Sequence, residues 1–494
     1  MLFAYGLRCS IVCVVLLLIM NAKGQRGEKM GKGLYEKLTK YAKKDHLAMH
    51  MPGHKRNEKF LKGFPVDIDI TEIDGFDNLH DMQGVLLDTA ELAAKIYGAT
   101  MCYPLVNGSS AGILAAITAE AGAGGCVLMA RNCHKSVYHA VQINGLKAYY
   151  LYPDVDEYGI LGGIDAKAVE TELKNKGDIR AVILTSPTFE GVVSDVKEIA
   201  EVCHRFEVPL IVDAAHGAHF GFHSRFPKNA VECGADYAVM SLHKTLPALT
   251  QCALLAVNDE NGRVNLKKVE FCLSLYETTS PSYILMAAID ECLRTIKKGA
   301  NELFSQFVLK LDALYDALNG LKKLKTIKLD DPSKIVISCR GTNMTGTQLA
   351  EVLRSQFFIE VEMAYTDYVV MIATICDKPN DYGRLCSALL SIDERLAPAP
   401  AKAILPAPRL VSEKRAKEAV FVDETNIKAV SLKEAYGELS AEYVFAYPPG
   451  IPLIVPGERI DNSIVSYLND IQERGIALHS TYGGFPESLY ILKQ

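Results

Sequence analysis

Residues 236–250 read DYAVMSLHKTLPALT, and the reason for one amine in this stretch decides how the rest of the chain is read. Tyr237 to Leu242 form an apolar run of strand character, so Lys244 stands at the carboxyl end of a buried strand. A lysine there is costly unless it is solvated, paired or used covalently. Taken alone, the stretch allows the simplest case, a side chain that reaches water from the first residue of a loop. The neighbouring segments argue for another.

From about residue 85 to 260, apolar runs alternate with helix-like stretches. CYPLVN (102–107), CVLMA (126–130), AVILTS (181–186), PLIVDA (209–214) and YAVMSL (237–242) read as strands. SSAGILAAITAEAG (109–122) and VKEIAEVCHRFE (196–207) read as helices between them. Near-continuous apolar strands separated by helices predict an α/β fold with a mostly parallel sheet covered on both faces. In such sheets ligands bind beyond the carboxyl ends of the strands. The residues at those ends are polar or titratable: Asn107 to Ser110, Arg131 to His134, Ser186 to Thr188, Asp213 to His216 and Ser241 to Lys244.

The rest of the chain divides around this block. A length of 494 residues accommodates two to four domains. A long helical region is expected from about 265 to 325, closing a major domain over 30–325. A smaller α+β unit follows over 326–395, with KIVISC and YVVMIAT as strands. The Pro/Ala-rich segment 396–409 cannot be helical throughout and reads as an extended connection to a C-terminal unit over 410–494. At the other end, Ile11 to Met20 are ten consecutive apolar residues after Arg8. That run is short for a membrane span and matches a signal-peptide core. Residues 1–29 are therefore expected outside the fold, as a signal-like segment or as sequence upstream of a start at Met30. From there Leu34, Leu38 and Tyr41 recur at helical spacing.

Composition narrows the classes. Apolar residues make up 49% of the chain and charged residues 23%, ordinary values for a globular protein. A formal net charge of -6 with no long basic run argues against nucleic acid as a partner. Thirteen dispersed cysteines without CxxC pairs read as reduced thiols in a cytoplasmic protein.

Two further stretches carry chemistry. In NGSSAGI (107–113) a strand runs into Gly-Ser-Ser and then an Ala-rich helix. Backbone N–H groups at the helix start, with the hydroxyls of Ser109 and Ser110, make an anion cradle suited to a phosphate, although a plain serine cap has the same pattern. In PLIVDAAHGAHFG (209–221) Asp213 ends an apolar strand and needs a cationic or hydrogen-bonding partner. His216, His219 and His223 raise the possibility of a metal, but no carboxylate or cysteine completes a ligand pattern, so none is expected. A phosphate cradle, a strand-end aspartate and a strand-end lysine in this order suit pyridoxal 5'-phosphate. The phosphate anchors it, the aspartate keeps its ring nitrogen protonated, and the lysine links to its aldehyde.

The motifs MPGHKRN (51–57), NGSSAG, RNCHKS (131–136), SPTFEG (186–191), DAAHGAH, SLHKTLPALTQ, TTSPSY (278–283) and YPPGIPLIVPGE (447–458) resemble the Orn/Lys/Arg decarboxylase family in matching order over about residues 30–494. The likeness is to the short branch, without the N-terminal wing domain. It implies the aspartate-aminotransferase fold, pyridoxal 5'-phosphate as cofactor, and decarboxylation of arginine, lysine or ornithine feeding polyamine metabolism, arginine slightly favoured. It also implies roles for residues. Ser109 and Ser110 would hold the phosphate, His134 would stack on the ring, and Asp213 would pair with its nitrogen, His216 lying close by. Ser241 and His243 would flank Lys244, with His243 or Lys244 as proton donor. Thr278 and Thr279 would reach a partner's cofactor, making a homodimer the minimal unit, and Glu458 would lie near the substrate's distal cation. His54 and Lys55 are site residues without an assigned role. The alternative on the same scaffold is an aminotransferase or aldolase.

Overall fold

The buried strands expected from the apolar runs are present, and two more complete the sheet. The structure, a computed structural model, describes residues 32–259, 262–378, 380–401, 424–446 and 450–493. The apolar run Ile11–Met20, residues 402–409 of the connection and Tyr447 to Pro449 lie outside the described residues. Seven strands form the main sheet: β1 (Met101–Leu105), β2 (Cys126–Ala130), β3 (Lys147–Leu151), β4 (Ile179–Thr185), β5 (Leu210–Asp213), β6 (Tyr237–Met240) and β7 (Ala253–Val257). Their spatial order is β1-β7-β6-β5-β4-β2-β3. β3, β2, β4, β5 and β6 run parallel, whereas β7 is antiparallel to both β6 and β1. Every residue of β2, β5, β6 and β7 is buried, because helices cover both faces.

The helix Gly108–Ala121 packs against the sheet closely enough to explain two glycines. Gly108 has φ +75°, which side chains with a Cβ rarely adopt. A Cβ on Gly112 would come within 2.7 Å of Leu105 Cδ1 and 3.2 Å of Val239 Cγ1. At the chain's described beginning, Leu34 and Leu38 of the helix Leu34–Ala42 are fully buried. The Leu34 N–H donates to Asp290 Oδ2 at 2.7 Å, so the helix is tied down by a carboxylate from the long helix Tyr283–Leu318.

The expected helical region after 265 is two helices, Leu266–Tyr276 and Tyr283–Leu318. Pro281 cannot continue a helix, and Ser282 caps the second one by accepting from the Leu285 N–H. Beyond it, β8 (Lys325–Ile327), β9 (Lys334–Ser338), β10 (Met363–Ala364) and β11 (Tyr368–Ile372) form an antiparallel sheet in the order β10-β11-β9-β8. The C-terminal residues build their own core around Val444, Ile454, Ile464, Leu468 and Leu489. Among the described residues no cysteine is in a disulfide, and no helix is long and apolar enough to cross a membrane.

Candidate active site

β1, β2, β4, β5 and β6 all end at one edge of the sheet, and antiparallel β7 starts there. A cavity of about 330 Å³ opens at that edge. Ser109 and Ser110 line it from the end of β1, His134 from β2, Asp213 and His216 from β5, and Ser241, His243 and Lys244 from β6. Eight residues expected at the site from sequence therefore share one cavity.

Lys244 sits in the single turn Leu242–Thr245. Burial lowers its amine below the usual lysine range, with Asp213 acting in the opposite sense. Nζ donates to His216 Nε2 at 3.0 Å. An imidazole that accepts at Nε2 and is held neutral by burial carries its proton on Nδ1. Asp213 accepts from the Ala215 N–H at 3.1 Å, and burial raises its carboxyl against the pull of Lys244. Burial also pushes the His134 imidazole down to about 4, so its ring is uncharged near neutral pH. Its Nδ1 accepts from the Ser136 N–H. His243 donates from Nδ1 to the Cys252 carbonyl at 2.9 Å, which leaves Nε2 as the acceptor of a neutral ring.

These residues fit pyridoxal phosphate on three observations. The helix Gly108–Ala121 begins without any side-chain cap, and the Ser109 and Ser241 hydroxyls bond each other beside it. That arrangement offers N–H and O–H donors to a phosphate. Asp213 is a buried carboxylate suited to a protonated ring nitrogen. Asn132 Oδ1 and His216 Nδ1 are buried, line the cavity and find no hydrogen-bond partner among the described residues.

Other expected residues lie elsewhere. Thr279 is exposed, and the Thr278 carbonyl accepts from His80 Nε2 at 2.9 Å. His54 pairs with Asp69 at 3.1 Å. His219 is bound to Asp331 at 3.1 Å, while His223 Nδ1 accepts from the Arg225 N–H. Among the described residues no group of three or more His, Cys, Asp or Glu could hold a metal. The structure does not bring Glu458 to the cavity. Its carboxylate is 2% exposed, pairs with Arg131 Nη2 at 3.2 Å and accepts from the Val455 N–H at 3.0 Å.

Arg131 also donates to Tyr138 Oη at 3.0 Å, the Leu453 carbonyl at 3.2 Å and the Pro452 carbonyl. This buried junction fastens the C-terminal core to the turn that carries His134. Arg131→Met is expected to cost on the order of 3–5 kcal/mol, because Glu458 is left charged and buried without its cation. Adding Glu458→Gln should recover part of that loss in urea unfolding. Strictly additive losses would show that the two groups do not act as a pair.

Asn132, from the strand-end group Arg131 to His134, also lines the cavity, whereas sequence reasoning missed Phe189, Glu190 and Glu362, which line it too. The His216 ring packs against Phe189 with centroids 4.7 Å apart. SPTFEG follows the end of β4, which was the available signal for Phe189 and Glu190.

Residues 32–362 match the family described as Orn/Lys/Arg decarboxylase, major domain, and residues 401–488 match its C-terminal domain. The chain is 31% identical to the arginine decarboxylase of Bacillus subtilis over 484 residues, 93% of this chain and 98% of that protein. Among solved structures, the lysine decarboxylase of Francisella novicida superposes with TM-score 0.76 at 19% identity, covering 94% of this chain and 81% of that one. A serine palmitoyltransferase solved with pyridoxal phosphate shares the fold more distantly, with TM-score 0.51 and 15% identity over 62% of this chain and 75% of that one. The chain belongs to the Orn/Lys/Arg decarboxylase family, and its reaction is the pyridoxal phosphate-dependent decarboxylation of a basic amino acid.

Proposed function

We propose that the protein is an arginine decarboxylase, a homodimer in the cytoplasm that releases CO2 and agmatine for polyamine synthesis. The observation that carries this reading is the convergence of Lys244, His216 and Asp213 in one cavity of a chain similar along nearly its whole length to arginine decarboxylases. Pyridoxal phosphate, when bound, supplies an aldehyde that links to amines and a ring that takes up the electrons left behind by CO2. Ser109, Ser110 and the helix start would hold its phosphate, with Ser241 beside them. Asp213 would keep a proton on the ring nitrogen, and His134 would offer an uncharged ring face. Lys244, its amine depressed by burial, is the nucleophile, and His216 orients it. Lys244 would then return a proton to the substrate Cα, or His243 would do so from Nε2 once that nitrogen has first taken a proton up.

Several large apolar side chains near the N-terminus, among them Leu47, Met49, Phe60 and Phe64, are exposed at 66–85%. Together with the exposed Thr279 they support a second copy of the chain as partner. The free, mostly buried thiols fit a reducing compartment. Three basic amino acids, offered to protein whose mass in solution has been measured by light scattering, test the reading. Agmatine should be the main amine, released by a species of twice the chain mass. Cadaverine or putrescine as main product, or full activity from a single chain, would refute the corresponding part.

A further inference from the structure

A second, smaller chamber of about 80 Å³ adjoins the main cavity, and Glu190, Leu161 and Ile451 line both. Its remaining walls include Tyr158, Tyr365, Tyr368 and Tyr467. Glu190 is 8% exposed, and Tyr368 Oη donates to its Oε1 at 3.0 Å. Among the described residues it has no ion pair, and burial raises its carboxyl. A buried carboxylate without a cation is a costly thing to keep unless something positive arrives. Arg474 also lines the chamber but is committed to Asp470 at 3.0 Å and Asp367 at 3.4 Å. Tyrosine rings around a carboxylate suit an ammonium or guanidinium, which gains from the ring quadrupoles as well as from the opposite charge.

Glu458, expected from its motif to meet the distal cation of the substrate, is already held by Arg131. Resting on the decarboxylase reading, we propose that Glu190 receives this cation and that the tyrosine-lined chamber beyond it sets which basic side chain fits. The chamber is built from three parts of the chain. Glu190 and Tyr158 come from the major domain, Tyr365 and Tyr368 from the hairpin of β10 and β11, and Ile451 and Tyr467 from the C-terminal residues. The rival is Glu362, which lines the main cavity but is exposed at its mouth.

Affinity of the holoenzyme for agmatine, measured by calorimetry against pentylamine, a chain with an amine at one end only, tests the assignment. Wild type should prefer agmatine, and Glu190→Gln should weaken agmatine binding by about 10- to 100-fold while leaving pentylamine unchanged. Glu190→Asp, which keeps the charge, should retain most of the preference. A preference that survives Glu190→Gln, or disappears in Glu362→Gln instead, overturns the proposal and leaves the decarboxylase reading standing. Absence of any preference in wild type overturns the proposal together with the choice of arginine as substrate.

Discussion

Lys244→Ala is expected to abolish amine release, with a loss on the order of 10^6-fold, the scale seen when a covalent catalyst is removed. The visible absorbance that the protein-linked cofactor shows should vanish with it. The fold should survive, because the substitution removes an amine whose burial is itself unfavourable. Desolvation is the largest influence on its protonation, and its hydrogen bond goes to the side chain of His216 rather than to the backbone of the sheet. An unfolding midpoint near or above that of wild type, measured without cofactor, therefore accompanies the loss of activity. A Lys244→Ala protein that kept wild-type turnover would end the assignment of this residue.

Asp213→Ala should lower turnover by about 10^3-fold or more, the scale of losing a preorganised charge at a reacting centre. Asp213 is the buried carboxylate at the end of β5, and Lys244 is the cation that acts on it most. Pyridoxal phosphate, when bound, would supply a ring nitrogen whose proton Asp213 would hold, a cation that would favour the ionised carboxylate. The dependence runs both ways, since a ring that loses its proton is a poor store for electrons. Asp213→Glu, which retains the charge at a longer reach, should lose less than Asp213→Ala. Single-turnover rates for the two variants decide the point, and equal rates for both and wild type would remove Asp213 from the chemistry.

The parts of this site that could be read in the sequence share one property: each follows an apolar run that can only be a buried strand. Ser109, His134, Asp213 and Lys244 stand at the ends of such runs, and the rule that ligands bind at that edge brought them together. β3 escaped because KAYYL begins with a charge and is only partly buried at the sheet edge. β7 escaped because it follows β6 through residues 241–252 and runs the other way, a connection that parallel-sheet reasoning does not anticipate. Glu458 is expected near the substrate because an acid in a conspicuous motif looks aimed at a basic side chain, whereas the structure pairs it with Arg131 away from the cavity lining. Its actual partner, Arg131, is 327 positions away in the chain, and no local pattern announces such a pairing. Glu190 was overlooked for the opposite reason: its neighbours Tyr365 and Tyr368 arrive from another sheet.

The Arg131 junction makes one site out of two parts of the chain that lie far apart in sequence. The turn bearing His134 is completed by Pro452, Leu453 and Glu458, and the Lys135 N–H donates to the Gly450 carbonyl at 3.2 Å. Residues 450–458, remote in sequence from the large sheet, thus supply part of one wall of the reaction chamber. A copy lacking residues 450–458 would therefore leave that guanidinium without its acid and the His134 turn without its brace.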